Sequence, residues 1–151
     1  MTVAGPTLHP TLTPVAEQKA VANYLSNREG IKKFLANFKS EIEERLNRIY
    51  NGFMQLKSEG LPVNAIAPEA AIYLTIQIDL VGKKTREGKV LTDQSEVTAF
   101  ILSEAKLALV PFYAFGASRN STWYRLSVGT CKKEEINEMI GKLREALKKL
   151  S

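Results

Sequence analysis

Cysteine and histidine are almost absent: Cys131 and His9 each stand alone among 151 residues. One cysteine excludes an intramolecular disulfide, and one of each cannot build a Cys/His zinc centre. The same shortage removes Cys–His and Ser–His–Asp nucleophilic chemistry, with His9 in a Pro- and Thr-rich segment read as a surface residue. Long hydrophobic runs are also lacking. LALVPFYAF (107–115) is far too short to cross a bilayer. MTVAGPTLHPTLTP has neither the basic n-region nor the apolar h-region of a secretory signal. The expectation is therefore a soluble, cytoplasmic protein with no membrane partner. Phosphate-cradling loops are missing as well, since Gly82 and Gly88 have neither P-loop nor dinucleotide spacing. Asp79, at the end of a predicted strand, is a conceivable acid or base, but no close acidic partner accompanies it.

What is present fits one globular domain. Hydrophobic residues make up 44% and charged residues 25%, enough for a core. The formal net charge of +5 favours an acidic partner only where the bases cluster. The run KKTREGK (83–89) has no interleaved aromatics, so it reads as a solvated turn and no nucleic-acid partner is expected.

Residues 1–12 read as a flexible lead-in, and 13–151 as a single domain. Thr13 and Pro14 form a start signal for a helix over about 14–26. Ile31, Phe34, Leu35, Phe38, Ile42, Leu46, Ile49 and Phe53 recur at helical spacing and predict a long helix over 31–57. Ile72, Leu74, Ile76, Ile78 and Leu80 alternate with polar residues, a half-buried strand over 71–80. Asp93 with Glu96 three positions on is a capping-box pattern opening a helix over 94–105. Strands follow at 107–110 and 123–128, and an amphipathic helix at 132–150. The fold class is α+β: a small, mainly antiparallel or mixed sheet of about three strands, covered by helices on one face.

Within the strand WYRLS, Tyr124, Leu126 and Val128 share one side; Trp123, Arg125 and Ser127 share the other. A lone arginine on a rigid strand is notable because its planar fork can grip a carboxylate through two parallel hydrogen bonds. From chemistry alone, a surface arginine snorkelling past Trp123 is the favoured reading.

The order of several short motifs resembles the small carboxyl-terminal domain of fold-type-I pyridoxal-phosphate enzymes, the class I and II aminotransferases in particular, with an aspartate-aminotransferase flavour. The motifs are Pro68-Glu69-Ala70-Ala71-Ile72-Tyr73, Val110-Pro111-Phe112-Tyr113-Ala114-Phe115-Gly116 and Arg125-Leu126-Ser127, followed by an amphipathic helix. The long helix 31–57 resembles the one that links the family's two domains. Ala70 and Phe112 stand where the family motifs carry glycine. The resemblance implies that Arg125 binds the α-carboxylate of an amino-acid or 2-oxo-acid substrate, with Phe112 and Tyr113 lining the pocket. It implies pyridoxal 5'-phosphate and a homodimer for the intact parent. Nothing before the matched region supplies the Schiff-base lysine or other cofactor-binding residues. Lys84, with Arg86 and Gly88, falls on the wrong side of the match. The chain is thus expected to be an inactive fragment, with no catalytic, cofactor-binding or metal-binding residue and no bound cofactor, whose missing large domain is a partner. The alternatives are a basic α+β module meeting an acidic partner through KKTREGK and KLREALKKL, or the same fold in another pyridoxal-phosphate enzyme or an effector-sensing regulator.

Overall fold

The computed structural model describes residues 15–151. The lead-in, His9, Thr13 and Pro14 lie outside the described residues. The chain divides into two units, Met1–Phe38 and Lys39–Ser151.

In the first unit, α1 spans Val15–Ser26 and buries none of its residues. Asn27 then opens α2, which spans Arg28–Ser58, by accepting from the Gly30 N–H at 3.0 Å through its side chain. Val21, Tyr24, Leu25, Phe34 and Phe38 are all exposed.

The second unit holds the sheet. Four strands, β1 (Val63–Ala65), β2 (Tyr73–Ile78), β3 (Val110–Pro111) and β4 (Trp123–Ser127), lie in the order β1-β2-β4-β3. Every neighbouring pair is antiparallel. β2 and β3 therefore run the same way on either side of β4, joined by a crossover through α3 (Gln94–Ala105). A three-residue turn, Lys133–Glu135, leads into α4 (Ile136–Lys148).

The predicted alternation places the sheet faces correctly. Leu74, Ile76, Ile78, Tyr124, Leu126 and Val128 are buried and join one core with Ile42, Leu46, Ile49, Phe53 and Leu56 of α2. Val97 and Ile101 of α3 and Ile140 and Leu143 of α4 complete it. Gly52 lets α4 approach closely, because a Cβ there would stand 2.7 Å from Ile140 Cδ1. Tyr124 is fully buried, and its hydroxyl donates to Gln94 Oε1 of α3. Burial pushes its phenol up to about 12.

Some bounds differ from expectation. β1 is a fourth strand, too short at three residues for any period to show. The extended stretch expected at 107–110 pairs with β4 only from Val110, because Lys106 ends α3 in the left-handed region, φ 55°, and turns the chain away first. The last helix begins as a 3-10 turn at Lys133 rather than as a regular helix at 132.

Asp93 caps α3 as its sequence predicts, its Oδ1 accepting from the N–H groups of Ser95 at 2.8 Å and Glu96 at 3.0 Å. Glu96 reaches one residue further back than a capping box requires. It takes the Thr92 N–H at 2.7 Å and hydroxyl at 2.9 Å and pairs with Lys89 at 2.8 Å. The Lys89 ammonium, then the two Thr92 donors, hold its carboxyl at about 2. A carboxyl depressed on folding stabilises above its unfolded value, near 4.3, and loses that contribution as pH falls towards 2. Glu96→Gln is accordingly expected to lower the thermal midpoint at pH 7 and to leave it unchanged at pH 2. Asp93→Ala should cost about 1 kcal/mol at pH 7 by urea denaturation.

Ala71 carries a positive φ of 65°, a conformation that costs an L-residue roughly 1–2 kcal/mol. Ala70, at the glycine position of the motif, does not. Ala71→Gly removes the Cβ penalty but loosens the unfolded chain, so a net gain of about 0.5–1 kcal/mol is expected in the same denaturation experiment.

Candidate functional site

The outer face of the sheet is built by three cross-strand rows: Tyr73 opposite Ser127, Thr75 opposite Arg125, and Gln77 opposite Trp123. Val110 of β3 flanks Arg125 on its other side. Strand alternation alone puts these residues together, since the partners of each row bury their neighbours on the core side.

Arg125 is the chemical centre of this face. Its Cζ lies 4.4 Å from the centroid of the Tyr73 ring and 4.1 Å from that of Phe115. Tyr73 reaches it diagonally from the next row of β2, a normal distance for an aromatic side chain. Phe115 comes from the 3-10 turn Phe112–Phe115 that follows β3. Gly116, at φ 88°, closes that turn with its N–H on the Phe112 and Tyr113 carbonyls, which folds Phe115 back over β4. Among the described residues the only ring–ring pair is Phe34–Phe38. Tyr73 and Phe115 approach the guanidinium carbon from different elements and form no such pair with each other. The guanidinium thus lies with its carbon over two aromatic rings. Its edge, which carries the N–H donors, makes no ion pair with a carboxylate among the described residues.

The other expected pocket residues, Phe112 and Tyr113, open the same 3-10 turn. Tyr113 places its hydroxyl 3.4 Å from Ser95 Oγ, and its ring lies 6.0 Å from Arg119 Cζ. Phe112 is half-buried at the start of the turn and has no left-handed backbone, so the residue in the motif's glycine position imposes no strain. Sequence reasoning named Tyr73 and Phe115 inside motifs but did not connect them to Arg125. The β2–β4 register does that for Tyr73 and the 3-10 turn does it for Phe115.

Among the described residues nothing else assembles a comparable site. Lys84 has its backbone tied to Ser151 in both directions, at 3.0 and 3.1 Å, and forms a bridge with Val90. Lys89 of the basic run is already paired with Glu96. Burial first, then the Glu135 carboxylate, push the Cys131 thiol up, away from thiolate chemistry. A groove of about 400 Å³ between α2 and α4 is lined by Arg48, Asn51, Gln55, Asn137 and Arg144, but its two arginines already hold Glu44 and Glu59. Among the described residues no group of three His, Cys, Asp or Glu could hold a metal. No helix among them is long and apolar enough to cross a membrane.

A four-stranded antiparallel sheet under helices, with an arginine on its outer face that makes no ion pair among the described residues, defines a small α+β domain. Residues 5–143 match the family model described as aminotransferase class I and II, and the chain belongs to that family. An asparagine–oxo-acid transaminase of Streptococcus mutans is 34% identical over 131 residues, covering 85% of this chain and 30% of that protein. A probable aspartate/prephenate aminotransferase of Rickettsia felis is 34% identical over 85 residues, 56% of this chain and 20% of that protein. The crystal structure of the Rhizobium meliloti aspartate aminotransferase superposes with a TM-score of 0.67 at 27% identity, covering 78% of this chain and 28% of that one. The chain therefore spans about a fifth to three-tenths of the length of these relatives.

The family works with pyridoxal phosphate, and a structural neighbour, cystalysin of Treponema denticola, contains that cofactor. The residues sharing the face of Arg125 do not fit it. None of Tyr73, Thr75, Gln77, Val110, Phe115, Trp123 or Ser127 offers an amine for the aldehyde or a carboxylate for the pyridine nitrogen.

Proposed function

We propose that the chain is the carboxyl-terminal small domain of a pyridoxal-phosphate-dependent aminotransferase, and that Arg125 receives the α-carboxylate of its amino-acid or 2-oxo-acid substrate. The observation that carries this is the guanidinium on the outer face of β4, in contact with two rings and with no ion pair to its N–H edge among the described residues. A charged fork left without a partner on a rigid strand is suited to a planar anion arriving from outside. The cofactor, its lysine and the amino-transfer chemistry belong to a large domain outside these residues. This chain contributes substrate orientation: a two-point grip on the carboxylate that fixes where the α-carbon lies. In the intact parent that domain is its partner, and two such subunits form the homodimer.

Two titrations of the purified chain test the proposal. With 2-oxoglutarate, the side-chain N–H resonances of Arg125 are expected to move and saturate in the millimolar range. With pyridoxal phosphate, no saturable absorbance band assignable to one lysine is expected, and no amino transfer. An unmoved Arg125, or stoichiometric attachment of the cofactor to a single lysine, would refute it.

A further inference from the structure

We propose that Tyr73 and Phe115 are positioning residues: an aromatic slot that sets the plane of the Arg125 guanidinium and selects flat carboxylates over tetrahedral oxyanions. The proposal rests on the carboxylate role of Arg125 and adds what enforces it. An arginine side chain has four rotatable bonds before its planar group, and on an open sheet face it sweeps many orientations. Ring centroids at 4.4 and 4.1 Å are within the range of a cation–π contact, which favours the guanidinium lying across each ring. With a ring on either side, the plane is fixed and rotation out of it meets an aromatic face. Neither ring is needed by the core, for Tyr73 is 41% and Phe115 53% exposed.

The slot also discriminates by shape. A carboxylate is planar and can place both oxygens in the plane of the fork, between the rings. A phosphate or sulfate gripped by the same two N–H groups carries further oxygens above and below that plane, directed at ring faces whose negative quadrupole repels them. Thr75 and Val110, the cross-strand neighbours of Arg125, bring no second positive charge that would favour a dianion. Selectivity for planar anions therefore follows from the two rings and not from net charge.

The test uses the whole chain labelled with nitrogen-15, observing the Arg125 Nε–Hε correlation, assigned by its loss in Arg125→Lys. Ring currents from two faces are expected to displace this Hε upfield of those of Arg28 and Arg86. Tyr73→Leu and Phe115→Leu should each remove part of the displacement while leaving backbone amides away from the site unchanged. Titration with acetate and with inorganic phosphate should show at least a tenfold preference for acetate in the parent chain, falling to about twofold in either variant. An Hε at the position of the other exposed arginines overturns the slot. So does a preference that survives both substitutions. A displaced Hε that responds to no carboxylate supports the slot and overturns the carboxylate role itself, which separates the two ideas.

Discussion

Arg125→Ala is expected to abolish carboxylate binding by this chain, with the saturable response to 2-oxoglutarate disappearing at all accessible concentrations. Two charge-assisted hydrogen bonds contribute roughly 1.5–3 kcal/mol each where water is partly excluded. Their sum corresponds to a loss of two to four orders of magnitude. Isothermal calorimetry or the resonance titration measures it directly. Arg125→Lys keeps the charge and loses the fork, so it should recover no more than a tenth of the parent affinity. Because Arg125 is half-buried on the outer face and makes no ion pair among the described residues, neither substitution should move the thermal midpoint by more than a degree or two. A variant that binds normally would remove Arg125 from the site. A variant that unfolds would mean that the side chain is structural.

Phe53→Ala is expected to be the most destabilising single substitution in the core, at about 3–5 kcal/mol. Its ring is fully buried in the middle of the α2 stripe formed by Ile42, Leu46, Ile49 and Leu56. Truncation removes apolar burial and leaves a void whose walls cannot collapse, because the sheet below and α4 beside it are tied in by other side chains. Against a usual total of about 5–15 kcal/mol, that is a large share. Thermal unfolding should shift down by roughly 10 °C for a domain of this size. Phe53→Leu preserves most of the volume and should cost less than half as much. Equal costs for the two would show that the site relaxes around the cavity.

The two substitutions also mark what could be read from the chain in advance. Phe53 was legible, because a helical stripe betrays the buried face without knowledge of what lies beneath it. The outward orientation of Arg125 was legible for the same reason, through the two-residue period of WYRLS. Its environment was not. Tyr73 becomes a neighbour only through a register pairing Thr75 with Arg125, fifty positions apart, and no local pattern encodes a register. Phe115 becomes one only through a 3-10 turn closed by Gly116, within a segment whose aromatic run reads equally as strand. Expectation fell on Phe112 and Tyr113 as pocket-lining residues by way of the motif; the ring contacts to the guanidinium are made by Phe115, two positions further along that motif, and by Tyr73 of another. The sheet order escaped as well, since placing β4 between β2 and β3 depends on contacts across the whole unit.

That strand order has a consequence for how the protein behaves at high concentration. Its two longer strands, β2 and β4, are interior in the strand order, each with a neighbour on both sides. The rims are β1, three residues long, and β3, two residues long and ending in Pro111, which has no N–H to donate. A second chain adding to a sheet needs several consecutive unpaired N–H and C=O groups, and neither rim offers them. Growth of one sheet onto another into fibrils is blocked by brevity at both borders, with no charged guard residues required.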